Sequence, residues 1–316
     1  MTVRVLTDSA SYIPAEDRQR LDIRMFSMIL VEGDRQTPEM DIDYNDFYAR
    51  LASVDYIPTT SLPSPEEMRA HIVNILDEGY DVLGVFLPGT FSGVVATFTM
   101  VAEQLMTEDP ALRGRIDVVD GESPCMEEGF AAEAAALCAQ EGGTLAECAA
   151  AAEASKARSR FLFTPQTLTY LERGGRIGHA SALLGGLLKL NPVLTVDNAI
   201  TTTYAKVRTF PKALKTIEEK LVADIKASGG LLNICVHFIA EEKEAAEFCK
   251  NVIEPLVGFP VRVIPIGPVV GAHVGPALGI VYETVDPIAP LHGESMLERL
   301  EDALGLRSGE SEESEK

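Results

Sequence analysis

The stretch Val82–Leu105, VLGVFLPGTFSGVVATFTMVAEQL, contains the strand–turn–helix unit on which our prediction of the fold rests. Val82–Leu87 is short and apolar, as expected of a buried strand, and Ser92–Leu105 has the length and spacing of a helix. The polar turn Gly89–Gly93 lies between them. This order is typical of a parallel sheet that is covered by helices.

The segments on either side of this unit repeat the same alternation. Ser64 begins a helix with a capping box, because Pro65 suits the first helical position and Glu67 lies three residues after the cap. The neighbouring elements are predicted strands at 3–6 and 116–119 and predicted helices at 64–78, 124–140 and 144–156. The first part of the chain is therefore predicted to be an α/β domain with a mainly parallel sheet between helices.

The pattern changes after Lys156. Asn191–Val196 and Thr201–Val207 resemble a hairpin with Asp197–Asn198 as its turn, and helices and strands alternate after it. We therefore expect a second α/β domain with a mixed sheet. Our predicted boundaries are 1–158 for the N-terminal domain, 159–305 for the C-terminal domain and 306–316 for an acidic disordered tail.

Composition limits the classes of partner. The net charge of -21 comes from 27 basic and 48 acidic residues, and such a surface repels nucleic acid and anionic lipid. The five cysteines show no metal or redox spacing, which suits a reducing compartment. The first residues lack the pattern of a signal peptide. We expect a cytoplasmic protein.

The segment Val263–Tyr282 imitates a membrane span, because it is uncharged over 20 residues and has glycines at four-residue spacing. Pro265, Pro268 and Pro276 argue against a membrane helix there. We predict a strand, a turn and a strand that are buried in protein.

Several polar turns are predicted at the carboxyl ends of strands, where ligands bind in open α/β sheets. Asp8 and Ser9 follow the first strand, Ser92 follows the strand at 82–87, and Thr60 and Ser61 precede the capped helix. Hydroxyl donors near helix N-termini suit a carboxylate or phosphate group. Each residue also has a plain structural interpretation, as a helix cap, a turn former or a brace between loops.

Two residues of the second half are candidates for the same site. Arg176 lies in the glycine-rich turn Gly174–Gly178, which lacks the features of a phosphate-binding loop, and its guanidinium suits hydrogen bonds across the domain junction. His273 lies between Gly271 and Gly275, which allow another group to approach it closely. The other histidines show no spacing of metal ligands, so we predict no metal site.

Lys206 and Arg208 end the predicted hairpin. Exposed basic residues are usually only solvated. On so acidic a protein, Arg208 is also a candidate for docking a partner by electrostatic attraction.

Seven stretches together resemble the DegV family in order and spacing, over nearly the whole chain. They are VRVLTDSAS (3–11), TTSLPSPEE (59–67), FLPGTFSG (86–93), VVDGESPCMEEG (118–129), LTYLERGGRIGHASALLGGLLKLNPVLTV (168–196), KVRTFPKAL (206–214) and IGPVVGAHVGPALG (266–279). The resemblance is to the fatty-acid-binding members that serve as binding subunits of a fatty acid kinase. It implies two α/β domains with a long-chain fatty acid in a tunnel between them.

The resemblance also implies roles for individual residues. The carboxylate is expected near Thr60, Ser61, Ser92 and His273, and Arg208 is expected to contact the kinase. Such proteins are not enzymes and use no cofactor; they present the acid to a kinase that forms acyl-phosphate for phospholipid synthesis. Further residues expected at the tunnel or the domain junction are Asp8, Ser9, Phe91, Arg176, Leu184 and Leu188.

The chain departs from the usual family pattern at Leu62, Val94, Pro165 and Ala277, where Gln, Thr, Asp and Gly are common. These departures spare the polar residues of the head-group site. They put the preference for chain length in doubt.

Two alternatives stay open. The predicted architecture is similar to the sugar-binding half of dihydroxyacetone kinases, and an enzyme of that kind would use His273 on a small keto substrate. The chain has no nucleotide-binding motif, and the surroundings of His273 are aliphatic. A sensor whose ligand controls a partner is the other alternative.

Overall fold

Two β-sheets with a pair of helices between them form the frame of the molecule. The computed structural model describes residues 2–51, 53, 56–184 and 190–291. In chain order the strands are β1 (Val3–Asp8), β2 (Arg24–Phe26), β3 (Ile29–Glu32), β4 (Arg35–Pro38), β5 (Thr59–Ser61), β6 (Asp81–Phe86), β7 (Ile116–Asp120), β8 (Ser159–Pro165), β9 (Asn191–Asp197), β10 (Ile200–Val207), β11 (Leu231–Ile239), β12 (Arg262–Pro265) and β13 (Ala277–Thr284).

The α-helices alternate with these strands. They are α1 (Ala15–Leu21), α2 (Tyr44–Leu51), α3 (Pro65–Asp77), α4 (Val94–Glu108), α5 (Met126–Gln140), α6 (Leu145–Arg158), α7 (Thr169–Arg173), α8 (Phe210–Ala227), α9 (Glu242–Phe248), α10 (Glu254–Val257) and α11 (Pro268–Val274). A π-helical segment, Cys249–Ile253, joins α9 to α10.

The first sheet has the order β2-β1-β6-β7, and all of its neighbouring strands are parallel. Helices α3 and α4 cover one face, and α5 and α6 cover the other. The predicted capping box is present, since Ser64 accepts a hydrogen bond from the Glu67 N–H and the Glu67 side chain accepts one from the Ser64 N–H. The prediction of a mainly parallel first sheet between helices is confirmed.

The second sheet has the order β10-β9-β8-β13-β11-β12. Its neighbours are antiparallel except β11 and β12, so the prediction of a mixed sheet is confirmed. Helix α8 packs on its outer face, while α5 and α6 contact its inner face. Buried alanines of α5 keep this helix thin, which lets both sheets pack closely against it.

The predicted hairpin is β9–β10, with its turn one residue later than expected. Asn198 and Ala199 occupy the turn with φ of 52° and 58°. Two successive residues with positive φ match the twist of a tight hairpin. The Thr90 hydroxyl donates to the Ala199 carbonyl, so the turn contacts the loop after β6.

A small sheet of order β4-β3-β5 was not predicted from the sequence. It is antiparallel, and β5 contains Thr60 and Ser61. We refer to it as the small sheet. It contacts α11 through β3 and β5.

The prediction for Val263–Tyr282 is wrong in its middle. The segment forms β12, helix α11 and β13, where we expected a turn between two strands. Pro268 occupies the first turn of α11, where its missing N–H breaks no hydrogen bond. Pro265 and Pro276 lie outside the helix, so the three prolines bound α11 without interrupting it.

Some predictions extend beyond the described residues. A 3₁₀ segment forms at Gly178–Leu183, and Leu188, which was expected at the tunnel, lies outside the described part of the chain. The predicted tail at 306–316 also lies outside it. Among the helices that are described, none has the length and apolar character needed to cross a bilayer.

A candidate ligand-binding cleft

A cleft opens at the junction of the first sheet, the small sheet and the second sheet. The space inside it that a water-sized sphere can reach is about 130 Å³, and the empty volume out to its mouth is about 940 Å³. Its apolar wall includes Met28, Leu62, Leu87, Phe91, Pro124, Phe161, Phe163, Leu171, Val196, Ile239, Ile266, Val269, Val270, Val274, Ala277 and Leu278. Residues of both predicted domains therefore form its walls.

Charge is nearly excluded from this cleft. Among the described residues that line it, Arg176 is the one ionised side chain at neutral pH, although the whole chain has a net charge of -21. Carboxylates are absent from that lining. An anion would meet attraction there and no close repulsion.

Thr60 and His273 meet at the polar end of the cleft. The Thr60 Oγ1 lies 2.9 Å from the His273 Nε2, which is a normal hydrogen-bond distance. Thr60 comes from β5 and His273 from the last turn of α11, 213 positions apart. Ser61 lines the cleft beside Thr60.

The surroundings of His273 favour a neutral ring. Its Nδ1 is buried without a hydrogen-bond partner in the described structure. A Cβ atom at Gly174 would lie 2.5 Å from this Nδ1, so only glycine allows the ring to sit there. Burial and then the nearby Arg176 charge lower the pKa of His273 to about 4.

Arg176 braces the loop that contains Ser92. Its Nε and Nη2 donate to the Phe91 carbonyl at 3.1 and 2.7 Å, and its Nη1 donates to the Gly174 carbonyl at 2.6 Å. Burial lowers the pKa of the guanidinium, which has no carboxylate partner among the described residues. Ser92 precedes Gly93, the N-cap of α4, and its hydroxyl accepts from the Val94 N–H at 3.3 Å. Phe91, Ser92 and Arg176 all line the cleft.

Other predicted site residues lie elsewhere. Asp8 is fully buried behind the cleft, where its carboxylate accepts from the N–H groups of Ala10 and Leu87 at 2.8 and 3.1 Å. Ser9 donates to Glu39 and does not line the cleft. Leu184 is exposed and also outside the lining.

Arg208 lies directly after β10 on the surface. It lines a separate depression with Gln166, Leu190, Asn191, Phe210, Glu241 and Glu244. It makes no ion pair within the described residues.

His237 is a cleft residue that the sequence analysis did not single out. It is fully buried in β11; its Nδ1 donates to the Ile264 carbonyl at 3.0 Å, and its Nε2 accepts from the Met126 N–H at 3.2 Å. Burial lowers its pKa to about 4. Because both nitrogens are occupied, His237 offers the cleft a neutral ring face.

The comparisons with known proteins agree with this architecture. The family model described as "Uncharacterised protein, DegV family" matches residues 2–285. The chain belongs to the DegV family. A DegV domain-containing protein of Clostridium acetobutylicum is 36% identical over 90% of this chain and 98% of its own length.

Solved DegV structures resemble the whole described fold. One from Thermus thermophilus, described as a fatty acid binding DegV family protein, gives a TM-score of 0.79 at 28% identity and covers 90% of this chain and 99% of that chain. DegV of Bacillus subtilis, described as a fatty acid binding protein, gives 0.78 at 30% identity with the same coverage. Among the residues described for this DegV chain, no group of His, Cys, Asp and Glu is arranged to hold a metal ion.

Proposed function

We propose that this protein binds one long-chain fatty acid in the cleft, with the carboxylate at the Thr60–His273 end. The observation that supports this most directly is the lining itself, which combines aliphatic walls, hydroxyl groups and a single cation. An amphiphile with an anionic head and an apolar tail matches that combination. The fatty-acid-binding relatives support the same ligand class.

The head group would be held mainly by neutral donors. Because Nδ1 is buried without an acceptor beside it, the favoured neutral tautomer of His273 has its proton on Nε2, which then donates to Thr60. The Thr60 hydroxyl proton is then free to point at the carboxylate, and the Ser92 hydroxyl supplies a further donor. Hydrogen bonds to an ionised acceptor are stronger than neutral ones.

The tail would supply most of the affinity. Each buried methylene contributes about 0.8 kcal/mol, so ~14 methylenes give roughly 11 kcal/mol before the costs of association. The space that a water-sized sphere can reach in the cleft is small at about 130 Å³, so we expect the apolar walls to move apart when a long chain enters.

We also propose that the protein is a carrier without catalytic activity, acting in the cytoplasm. It would present the carboxylate to a separate fatty acid kinase, which transfers a phosphoryl group to a carboxylate oxygen to give acyl-phosphate for phospholipid synthesis. Arg208, which is exposed and forms no ion pair in the part of the chain that the structure describes, is the residue we assign to kinase contact. Its neighbours Glu241 and Glu244 give this surface a local charge pattern that a partner would have to complement.

Mass spectrometry of lipid extracted from the purified protein tests the ligand class. We expect a C14–C20 fatty acid, in lower amount from Ser92→Ala and His273→Ala than from the wild type. The control is Arg113→Ala, an exposed residue away from the cleft. Equal retention in all variants, or a lipid-free protein that traps small ketones covalently through His273, would refute the proposal in favour of the enzyme alternative.

Arg208→Ala separates binding from presentation. We expect unchanged fatty acid retention and a several-fold slower formation of acyl-phosphate when a fatty acid kinase and ATP are supplied. Lys226→Ala, at the far end of α8, is the matched removal of a surface cation. A kinase rate that is the same for Arg208→Ala and Lys226→Ala would remove Arg208 from the proposed contact.

A further inference from the structure

The N-terminal end of α11 is bound by a buried carboxylate. Glu39 is completely buried, and its Oε1 accepts from the Val269 N–H at 2.8 Å and from the Tyr12 hydroxyl at 3.0 Å. Its Oε2 accepts from the Ser9 hydroxyl. Glu39 follows β4, so the small sheet reaches the first turn of the helix that ends at His273.

Two tyrosines hold the same end of the helix. The Tyr48 hydroxyl lies 2.7 Å from the Ile266 carbonyl oxygen and 2.8 Å from that of Gly267, immediately before α11. The Tyr12 hydroxyl lies 3.3 Å from the Gly267 carbonyl and also 3.3 Å from the Val270 N–H. All these contacts join residues that are more than 200 positions apart, because Tyr12 and Tyr48 belong to the first half of the chain.

The other end of α11 is contacted by the same small sheet. Thr60 of β5 bonds to His273, while Glu39 at the end of β4 bonds to Val269. A rigid helix thus has one end at Glu39 and the other at the head-group site. A change in how Glu39 holds the first turn must shift the imidazole at the last turn, because α11 is only 7 residues long.

We propose that Glu39, with Tyr12 and Tyr48, is a positioning residue that sets where His273 meets the ligand carboxylate. This inference rests on the proposed function for its ligand. Glu39 itself does not line the cleft and would not touch the fatty acid.

The electrostatic setting agrees with such a role. The titratable groups that face Glu39 are Asp8, Tyr12, Tyr44, Tyr48, Cys125 and Glu128, and none of them is a cation. Burial raises the pKa of Glu39, and the Ser9, Val269 and Tyr12 donors oppose that rise. A buried carboxyl group without a counter-cation is costly, and here its hydrogen bonds to Ser9, Tyr12 and Val269 offset that cost.

The test compares Glu39→Ala, Glu39→Gln and Tyr48→Phe. Gln keeps a carbonyl oxygen that can accept from Val269 and Tyr12, whereas Ala keeps none. We expect Glu39→Ala to weaken binding of a fluorescent fatty acid about tenfold or more, the loss typical of a broken charge-assisted hydrogen bond. Glu39→Gln should recover most of that loss, and Tyr48→Phe, the variant least liable to misfold, should weaken binding less.

Nuclear magnetic resonance of the His273 ring distinguishes a change in the position of His273 from a general loss of stability. We expect its ¹⁵N signals to shift in Glu39→Ala and Tyr48→Phe, and to stay near the wild type in Glu39→Gln. Asp224→Asn is the control, because Asp224 is buried against Arg160 and Tyr282 in another layer and should lower stability without moving His273.

The two proposals fail in different ways. A wild-type protein that binds no fatty acid refutes the proposed function, while the His273 signals still report on Glu39. Two results would overturn the positioning role while the wild type binds fatty acid normally. One is that the His273 signals do not shift in Glu39→Ala and Tyr48→Phe. The other is that they shift equally in Asp224→Asn.

Discussion

His273 combines features that rarely occur together in one imidazole. One nitrogen bonds to Thr60, the other is buried against Gly174 without a partner, and the ring lies in the field of Arg176. Each of these features opposes protonation or fixes the orientation of the ring. A residue in this setting is sensitive to any anion that enters the cleft.

The pKa of His273 should therefore report occupancy. It is about 4, and a fatty acid carboxylate beside the ring should raise it, because a nearby negative charge favours the imidazolium. Titration of the ring signals by nuclear magnetic resonance, in delipidated and in loaded protein, measures the change. His71, half-buried near Phe26, is the internal control. The same titration in both forms would exclude a carboxylate next to His273.

Individual residues differ in how well the sequence predicted their place. Thr60, Ser61, Ser92 and His273 all line one cleft, as expected for residues at strand ends and in a glycine-rich segment. Their predicted roles toward a carboxylate remain predictions. Asp8 also lies at the end of a strand, but its carboxylate accepts hydrogen bonds from backbone N–H groups. It therefore has the structural role that the sequence analysis gave as the alternative to ligand binding.

His237 could not have been found from its sequence context. Its neighbours in β11 are apolar on both sides, which is the pattern of any buried strand residue. Its role as cleft wall depends on β11 lying beside β13 and on α5 approaching from the other half. Only the tertiary arrangement supplies that information.

Helix α11 shows how prolines can mislead at the scale of an element. Three prolines in 12 residues of sequence suggested that no helix was possible, but Pro268 sits at the first turn and the others lie outside. The small sheet was missed for a different reason. Strands β4 and β5 are short and lack the continuous apolar run by which the strand at 82–87 was recognised.

The close packing of α11 on α2 predicts a specific conflict. A Cβ atom at Gly271 would collide with the Tyr48 hydroxyl, which also bonds to the Ile266 carbonyl. We expect Gly271→Ala to lower the free energy of unfolding by roughly 1–3 kcal/mol, as overpacking does. Urea denaturation measures it.

A double-mutant cycle with Tyr48→Phe identifies the cause. Removing the hydroxyl should make Gly271→Ala less costly, so the two changes should not be additive. Additive effects of Gly271→Ala and Tyr48→Phe would show that the alanine methyl group clashes with something else.

At the scale of the whole molecule, helices, sheets and helices alternate in layers. The sequence predicted the parallel and mixed character of the two sheets, because strand and helix periods are local properties. It could not predict that α5 and α6 lie between the sheets, since that depends on contacts of α5 with β1 and with β13 at once. The domain boundary at residue 158 stays a prediction.

The interior holds several carboxyl groups with raised pKa values. Burial raises the pKa of Asp8, Glu127 and Glu133 to about 7, and it also raises the pKa values of Glu39 and Glu128. A carboxyl group that holds its proton more tightly in the folded state stabilises the fold at low pH. That contribution is lost as the pH rises through the pKa of the folded state.

Stability should accordingly fall between about pH 4 and about pH 7, from the ordinary carboxyl pKa to the raised values of the folded state. His237 and His273 have the opposite effect on stability, because burial favours their neutral forms. Their contribution to the stability of the fold is lost as the pH falls from 6.5 towards 4. The larger number of carboxyl groups should prevail. Melting temperatures across this range test the balance, and Glu128→Gln should reduce the slope. A melting temperature that rises between about pH 4 and about pH 7 would contradict the prediction.

The walls of the cleft come from parts of the chain as far apart as Met28 and Gly279, so a bound ligand would contact both halves of the folded chain. A ligand that binds only the folded state adds about 2.7 kcal/mol of stability at a hundredfold excess over its Kd. Loaded and empty molecules should then differ in how long they survive a protease. In a growing cell, the lifetime of the polypeptide would follow the supply of its ligand, and scarcity would remove unloaded molecules first.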